Sequence, residues 1–314
     1  MSGLKGIYHL SHLMYYGGIV SNALFNRDLL FYKKKLLDGD AGNLCIYNTL
    51  MSGEACAISR FGGTEANTIA DVLYTKSGGK IGGLSDDTIN RISNLSGFFP
   101  KNKDLLYDFT DLYLDCAKDI DILGVWNVMM QKYLADTVAK DAAITKLKAL
   151  EPYYYDHPWS AALEGRKVVI VHPFAELVNQ QYSVRNLLFD NKSVLPEFDI
   201  RTVKAVQTLA GEVDKRFETW FDALDYLFDE VTKKDFDIAL IGCGAYGLPL
   251  AVMIKRFGKQ AVHIGGALQI LFGIKGKRWD DNIYVNKFYN DAWVRPGDSY
   301  SIKNSSIVEN SCYW

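Results

Sequence analysis

Three short glycine-bearing segments carry residue types that could do chemistry. The first is Ser59-Arg60-Phe61-Gly62-Gly63-Thr64-Glu65, the second Gly242-Cys243-Gly244-Ala245-Tyr246-Gly247, and the third Gly265-Gly266 with Gln269 close behind. In the first, an arginine and a glutamate stand at opposite ends of a glycine hinge. A guanidinium can clamp phosphate through two parallel hydrogen bonds. A carboxylate can hold a cation, accept from a sugar hydroxyl or take a proton; it also suits the positive end of a helix with no ligand present. In the other two segments, small residues let backbone approach a ligand, and free amides at a helix start attract phosphate.

Residues Gly242 to Gly247 form a literal G-x-G-x-x-G between an apolar run and a helical one, the context of a dinucleotide fingerprint. That fingerprint needs an Asp or Glu about 20 residues on to accept from ribose, and His263-Ile264-Gly265-Gly266 stands there instead. No NAD is expected. An NAD(P)-dependent oxidoreductase using this turn is the alternative reading, beside tight helix packing without a ligand. Lys277 and Arg278, with Trp279 following, could hold a diphosphate or be a solvated surface turn. His172 before Pro173 is a candidate base or phosphate ligand, or a histidine that only caps a carbonyl. Trp126 could stack a ring or anchor the core. Lys204, Gln207, Thr208 and the polar residues Glu176 to Arg185 share this ambiguity, and no chemistry is assigned to His9 and His12. No G-x-S-x-G, H-E-x-x-H or P-loop pattern occurs, so serine hydrolase, zincin and P-loop readings lack support.

These residues need a scaffold that brings distant turns together. Residues 166–171 (RKVVIV), 200–206 and 237–241 (DIALI), with 260–264, read as buried strands, and helical spacing fills 175–188, 213–231 and 248–257. Strand and helix in alternation imply right-handed βαβ units and a parallel sheet covered on both faces. Further upstream, strands are expected at 55–59 and 121–124. Helices are expected near 23–36, 64–74, 86–95 and 104–118, with Gly63 or Thr64 capping the second. The expected fold is α/β: a single Rossmann-like domain over 1–314, with a mostly parallel sheet of about six strands and helices on both faces. Residues 1–50 form a helical N-terminal extension and 51–314 the core. The aromatic end, Glu309 to Trp314, is expected to dock onto the fold.

With 314 residues, 48% apolar and 23% charged, the chain can bury a sizeable core. Its net charge of −2 gives no global drive toward nucleic acid, and no apolar run is long enough to cross a bilayer. Five cysteines without a C-x-x-C pair argue against a disulfide framework or zinc ribbon and for a reducing, cytoplasmic setting.

The stretch CAISRFGGTEANTI (residues 56–69) resembles the R-F-G-D-G-E segment of bacterial GT-D-type glycosyltransferases. Other blocks, including LEPYYYDHPWSAALEGRKVVIVHPF, DIALIGCGAYGLPLA, HIGGALQILFGIKGKRW and ENSCYW, look like uncharacterised proteins from surface-polysaccharide settings. The resemblance implies a Rossmann-like enzyme that moves sugar from a nucleotide diphosphate donor, of UDP or GDP type, to a glycan or polysaccharide acceptor; a non-catalytic nucleotide-binding protein of a glycan pathway is the further alternative. Arg60, Phe61 and Gly62 match the start of the family turn, and Glu65 matches the Glu of its D-x-E element. Gly63 stands where that Asp should be. Mg²⁺ or Mn²⁺ would then have only Glu65 as protein ligand, a poor site for a hard cation, and Arg60, Lys277 and Arg278 could balance the diphosphate instead. Glu65 and His172 are the catalytic candidates. Donor binding falls to Arg60, Phe61, Gly62, Gly63, Thr64, Gly242, Gly244, Tyr246, Gly247, Gly265, Gly266, Gln269, Lys277 and Arg278.

Overall fold

A computed structural model describes residues 3–13, 32–79, 83–301 and 311–314. Its N-terminal half runs α1 (3–13), β1 (Leu36–Leu37), α2 (Gly39–Met51), β2 (Cys56–Arg60), α3 (Gly63–Lys76), α4 (Asp86–Ser96), α5 (Leu105–Ala117), β3 (Ile122–Val125), the short α6 (Gln131–Tyr133) and β4 (Ala143–Lys146). Then follow β5 (Lys167–His172), α7 (Ala175–Ser183), β6 (Asp199–Lys204), α8 (Trp220–Thr232), β7 (Ile238–Ile241), α9 (Gly247–Arg256), β8 (Gln260–His263) and α10 (Leu268–Leu271). The described strands form one sheet in the order β1-β4-β3-β2-β8-β7-β5-β6, with every pairing parallel.

The strand sequences divide their side chains between two cores by simple alternation. Ala57, Val169, Val171, Ala239, Ile241 and Ala261 face one core, where α3, α4, α5, α8 and α9 pack. Ile58, Val168, Ile170, Ile238, Leu240 and Val262 face the other, with α2, α7 and α10. Helix ends follow local chemistry. Ser85 caps α4 by accepting from the Thr88 amide, and Gly97 closes it at φ 76°. Thr219 and Asp222 form a capping box at α8.

The sheet has eight strands where about six are expected. The additions are β1 and β4, two and four residues long, too short for periodicity to reveal. Helix α2 is a second addition, so the segment read as a helical extension supplies both the edge strand and a covering helix. Most of the helix expected at 23–36 lies outside the described residues; within them, 32–35 are irregular and Leu36 begins a strand. His9 and His12 lie on α1, which docks through Tyr8, stacked on Tyr74 at 4.1 Å and donating to Asp71. The helix read at 213–231 begins only at Trp220, and the one read at 175–188 ends at Ser183.

The connections set up the site. After β2 and β7 the chain passes to the face of α3 and α9, while after β8 and β5 it passes to the face of α10 and α7. Because β2, β8, β7 and β5 are neighbours in the sheet, successive loops splay to opposite sides. That leaves a crevice at the carboxyl edge, where open α/β sheets take ligands.

Candidate functional site

The crevice is a cleft of about 1150 Å³, counting the solvent at its mouth. All three glycine segments line it: Arg60 and Gly62 to Glu65 after β2, Gly242 to Gly244 and Tyr246 after β7, and Gly265, Gly266 and Gln269 after β8. His172 after β5, Thr208 after β6 and Trp126 after β3 complete its floor and walls. Among the described lining residues Glu65 is the only carboxylate, and Arg60 and Arg278 are the cations.

Arg60 ends β2 in register with Gly124 of β3. Its guanidinium donates to the Phe61 carbonyl at 3.2 Å and lies 5.1 Å from the centre of the Trp126 ring. Nε is sealed from solvent without a hydrogen-bond partner, an unmet demand inside a folded protein. Burial pulls its pKa below the ordinary arginine value, and the nearby Glu65 opposes that pull; an arginine nevertheless keeps its charge. Gly62, not Gly63 or Thr64, is the N-cap of α3, and no side chain caps that end. The first-turn amides therefore face the cleft beside a cation that lacks a full set of acceptors.

Glu65, 6% exposed, sits in that first turn. Its carboxylate folds back against Gly62: a Cβ on residue 62 would lie 1.7 Å from Oε2. With φ at −74°, Gly62 is needed for space and not for an unusual backbone. No side-chain group among the described residues hydrogen-bonds Glu65, which leaves its oxygens for what enters the cleft.

Two histidines lie beneath the turns, both 3% exposed. Burial lowers the pKa of each to about 3, and for His263 the Arg60 charge adds to the effect. His172 Nδ1 accepts from the Phe174 amide at 3.0 Å. The neutral ring then carries its proton on Nε2 and presents a hydrogen-bond donor there. His263 Nδ1 is 3.0 Å from Ser59 Oγ, and its ring fills the space above Gly247, where a Cβ would meet Nε2 at 2.3 Å.

The second and third segments thus divide their glycines among different tasks. Gly244 adopts φ 60°, a conformation that glycine takes without strain. Gly247 admits a histidine, and an added Cβ on Gly242 would lie 2.8 Å from the Gly265 carbonyl oxygen and 3.0 Å from His172 Cδ2. Gly266 makes room for Tyr313, whose Cε1 would be 2.7 Å from an added Cβ. Of the aromatic end, 309–310 lie outside the described residues, and 311–314 dock: Arg278 and Lys277 donate their amides to the carbonyls of Cys312 and Trp314, and the Trp314 indole donates to the Tyr300 carbonyl at 2.7 Å.

Several expected donor contacts are placed otherwise. Phe61 is fully buried in the core, leaving only its carbonyl to Arg60 and Trp126. Gln269 spends its amide on the carbonyls of Ile274 and Tyr313. Lys277 is exposed and outside the lining, whereas Arg278 reaches the cleft. Tyr246 lines the cleft while stacking on Trp220 at 4.9 Å. Lys204 pairs with Glu176 outside the lining, and Gln181, Tyr182 and Arg185 hold neighbouring segments together. Sequence reasoning leaves Trp126 open between stacking a ring and anchoring the core, and assigns no site role to Tyr113, His263 or Tyr313. Each is a lone residue whose place depends on a distant partner; Tyr113, for example, donates to the Ala245 carbonyl across the cleft floor.

Among the described residues no group of three His, Cys, Asp or Glu side chains could hold a metal, and Gly63 brings Trp126 Cη2, not an acid, near its Cα. No described helix is long and apolar enough to cross a membrane.

No protein-family model and no curated protein matches this chain. Among solved structures, the fold is similar to one described as a selenomethionine-substituted domain of unknown function 1792, with TM-score 0.47 and 10% identity over 84% of this chain and 96% of that one.

Proposed function

We propose that the chain is a nucleotide-sugar-dependent glycosyltransferase, acting as one transferase domain. The observation that carries this reading is the under-paired Arg60 guanidinium beside the uncapped start of α3, with Glu65 as the only carboxylate among the described residues that line the cleft. Such a site favours an anion that also presents hydroxyl groups. The donor diphosphate rests on the α3 amides and Arg60, with Arg278 at its outer side. Transfer breaks the bond from the sugar's anomeric carbon to the diphosphate oxygen and forms one to the acceptor oxygen. Arg60 and the helix amides stabilise the charge that grows on the departing diphosphate. Glu65 orients the acceptor hydroxyl and takes its proton, and His172 Nε2–H serves as a fixed donor to the ligand. In this reading the cationic side chains balance charge that a divalent ion would otherwise balance.

The oxidoreductase alternative finds less support in the geometry. Its fingerprint glycine Gly247 is occupied by His263, and β8 ends without an acid for a ribose. The test is a thermal-shift panel followed by donor turnover. UDP, GDP or their sugars should stabilise the protein while NAD(P) does not, and a donor that stabilises it should be hydrolysed slowly or transferred. Stabilisation by NAD(P) alone would overturn the reading.

A further inference from the structure

We propose that the cleft reads its donor as ring, anion and ring: Tyr313 stacks the nucleobase, Arg60 and Arg278 hold the diphosphate, and Trp126 carries the sugar beside Glu65. This rests on the transferase reading and gives the bound donor a direction.

Two aromatic rings flank the cation. The Trp126 indole donates to the Phe61 carbonyl at 2.9 Å, which fixes its ring 5.1 Å from the Arg60 guanidinium carbon. On the other side, an added Cβ at Gly265 would lie 3.5 Å from Arg60 Cζ, and one at Gly266 would lie 2.7 Å from the Tyr313 ring. Those glycines are consecutive, about 3.8 Å apart, so an anion seated on Arg60 has the Tyr313 ring within the reach of a diphosphate. Arg278 lies 4.9 Å from the centre of that ring, which places the second cation at the Tyr313 end.

The direction follows from the carboxylate. A sugar presents several hydroxyl donors, and Glu65 shares the first turn of α3 with Gly63, whose Cβ position is 3.6 Å from Trp126. A pyranose therefore finds an acceptor and an apolar platform together at the Trp126 end. The Tyr313 end offers an aromatic face and a guanidinium, which suit a base and a phosphate. Tyr313 is held there by backbone: its carbonyl accepts from Gln269, and those of Cys312 and Trp314 accept from Arg278 and Lys277. Removing the ring leaves these anchors in place.

The experiment is calorimetric titration of the full chain with ADP, GDP, CDP, UDP, dTDP and inorganic pyrophosphate. Wild type is compared with Tyr313→Ala, Tyr313→Phe and Trp126→Leu. Tyr313→Ala should weaken the tightest nucleoside diphosphate about tenfold or more, the scale of a lost base–aromatic stack, and weaken pyrophosphate far less, through the Arg278 contact alone. Tyr313→Phe should retain both affinities, a rescue that a merely structural hydroxyl would not give. Equal loss for pyrophosphate and nucleotide overturns the inference, as does no loss, or a base-dependent loss in Trp126→Leu in place of Tyr313→Ala. Failure of wild type to bind any of the six ligands overturns the transferase reading itself, and this inference with it.

Discussion

The Glu65 carboxylate occupies the space that any side chain on Gly62 would need, with Oε2 only 1.7 Å from the position of an added Cβ. Gly62→Ala is therefore a way of moving Glu65 without touching its chemistry. Since Gly62 has φ −74° and ψ 151°, alanine fits the backbone, and the loss of a glycine N-cap costs on the order of 1 kcal/mol. Gly62→Ala and Glu65→Gln should each lower turnover about 100-fold, the lower range for a displaced general base, with little change in melting temperature for Glu65→Gln and a modest decrease for Gly62→Ala. Normal turnover in Glu65→Gln would remove Glu65 from the proton path.

Arg60 holds a cation under the surface with an orphaned Nε, an arrangement that a protein selected for stability alone would shed. Replacing such a group by a similar apolar one is often neutral or stabilising. Arg60→Met should raise the stability of the ligand-free protein by about 1 kcal/mol while lowering pyrophosphate affinity at least tenfold. Urea unfolding and calorimetry read the two effects separately. A destabilised Arg60→Met with unaltered anion binding would make Arg60 a packing residue.

Much of this was legible in the sequence because the C-terminal strands are buried on both faces. The runs VVIV (168–171) and IALI (238–241) are apolar throughout, as central parallel strands must be, and their order of alternation with helices leaves few topologies. The convergence of the Arg60, Gly242 and Gly265 turns follows from parallel strands, since every strand delivers its turn to the same edge. By contrast, α2 carries Gly39, Gly42, Asn43 and Asn48, weak helix formers. It exists because Asp38 caps it and because Gly42 lets Thr145 and Ala149 pack close. The role of Tyr313 was equally hidden: it depends on Gly266, 47 positions earlier by their residue numbers, and on nothing periodic.

Gly247 and His263 give a test of what the third fingerprint glycine does here. A methyl group on residue 247 would strike the buried imidazole, with Cδ2 at 2.4 Å and Nε2 at 2.3 Å. Gly247→Ala should cost about 1–3 kcal/mol, the usual range for overpacking. In a double-mutant cycle with His263→Ala, that cost should largely vanish, since the ring it collides with is gone. Additive losses would show that Gly247 serves something other than helix-to-strand packing.

The two buried imidazoles also predict how stability depends on pH. In the folded protein His172 and His263 titrate near pH 3, against about 6.5 for a free imidazole. Between those values the unfolded chain binds more protons than the native one, so unfolding free energy falls as pH falls. Their contribution is complete above about pH 6.5 and is lost progressively below it. Each histidine can contribute up to about 1.4 kcal/mol per pH unit, and the pair roughly 4 kcal/mol between pH 6.5 and 5. Urea unfolding at pH 7 and pH 5 should show that difference shrink by about half in His172→Gln and in His263→Gln, and nearly disappear from their share in the double variant. A pH dependence identical in wild type and the double variant would mean that the imidazoles protonate freely in the folded state. His172 would then be a charged group open to solvent, and its assignment as a fixed neutral donor would be lost.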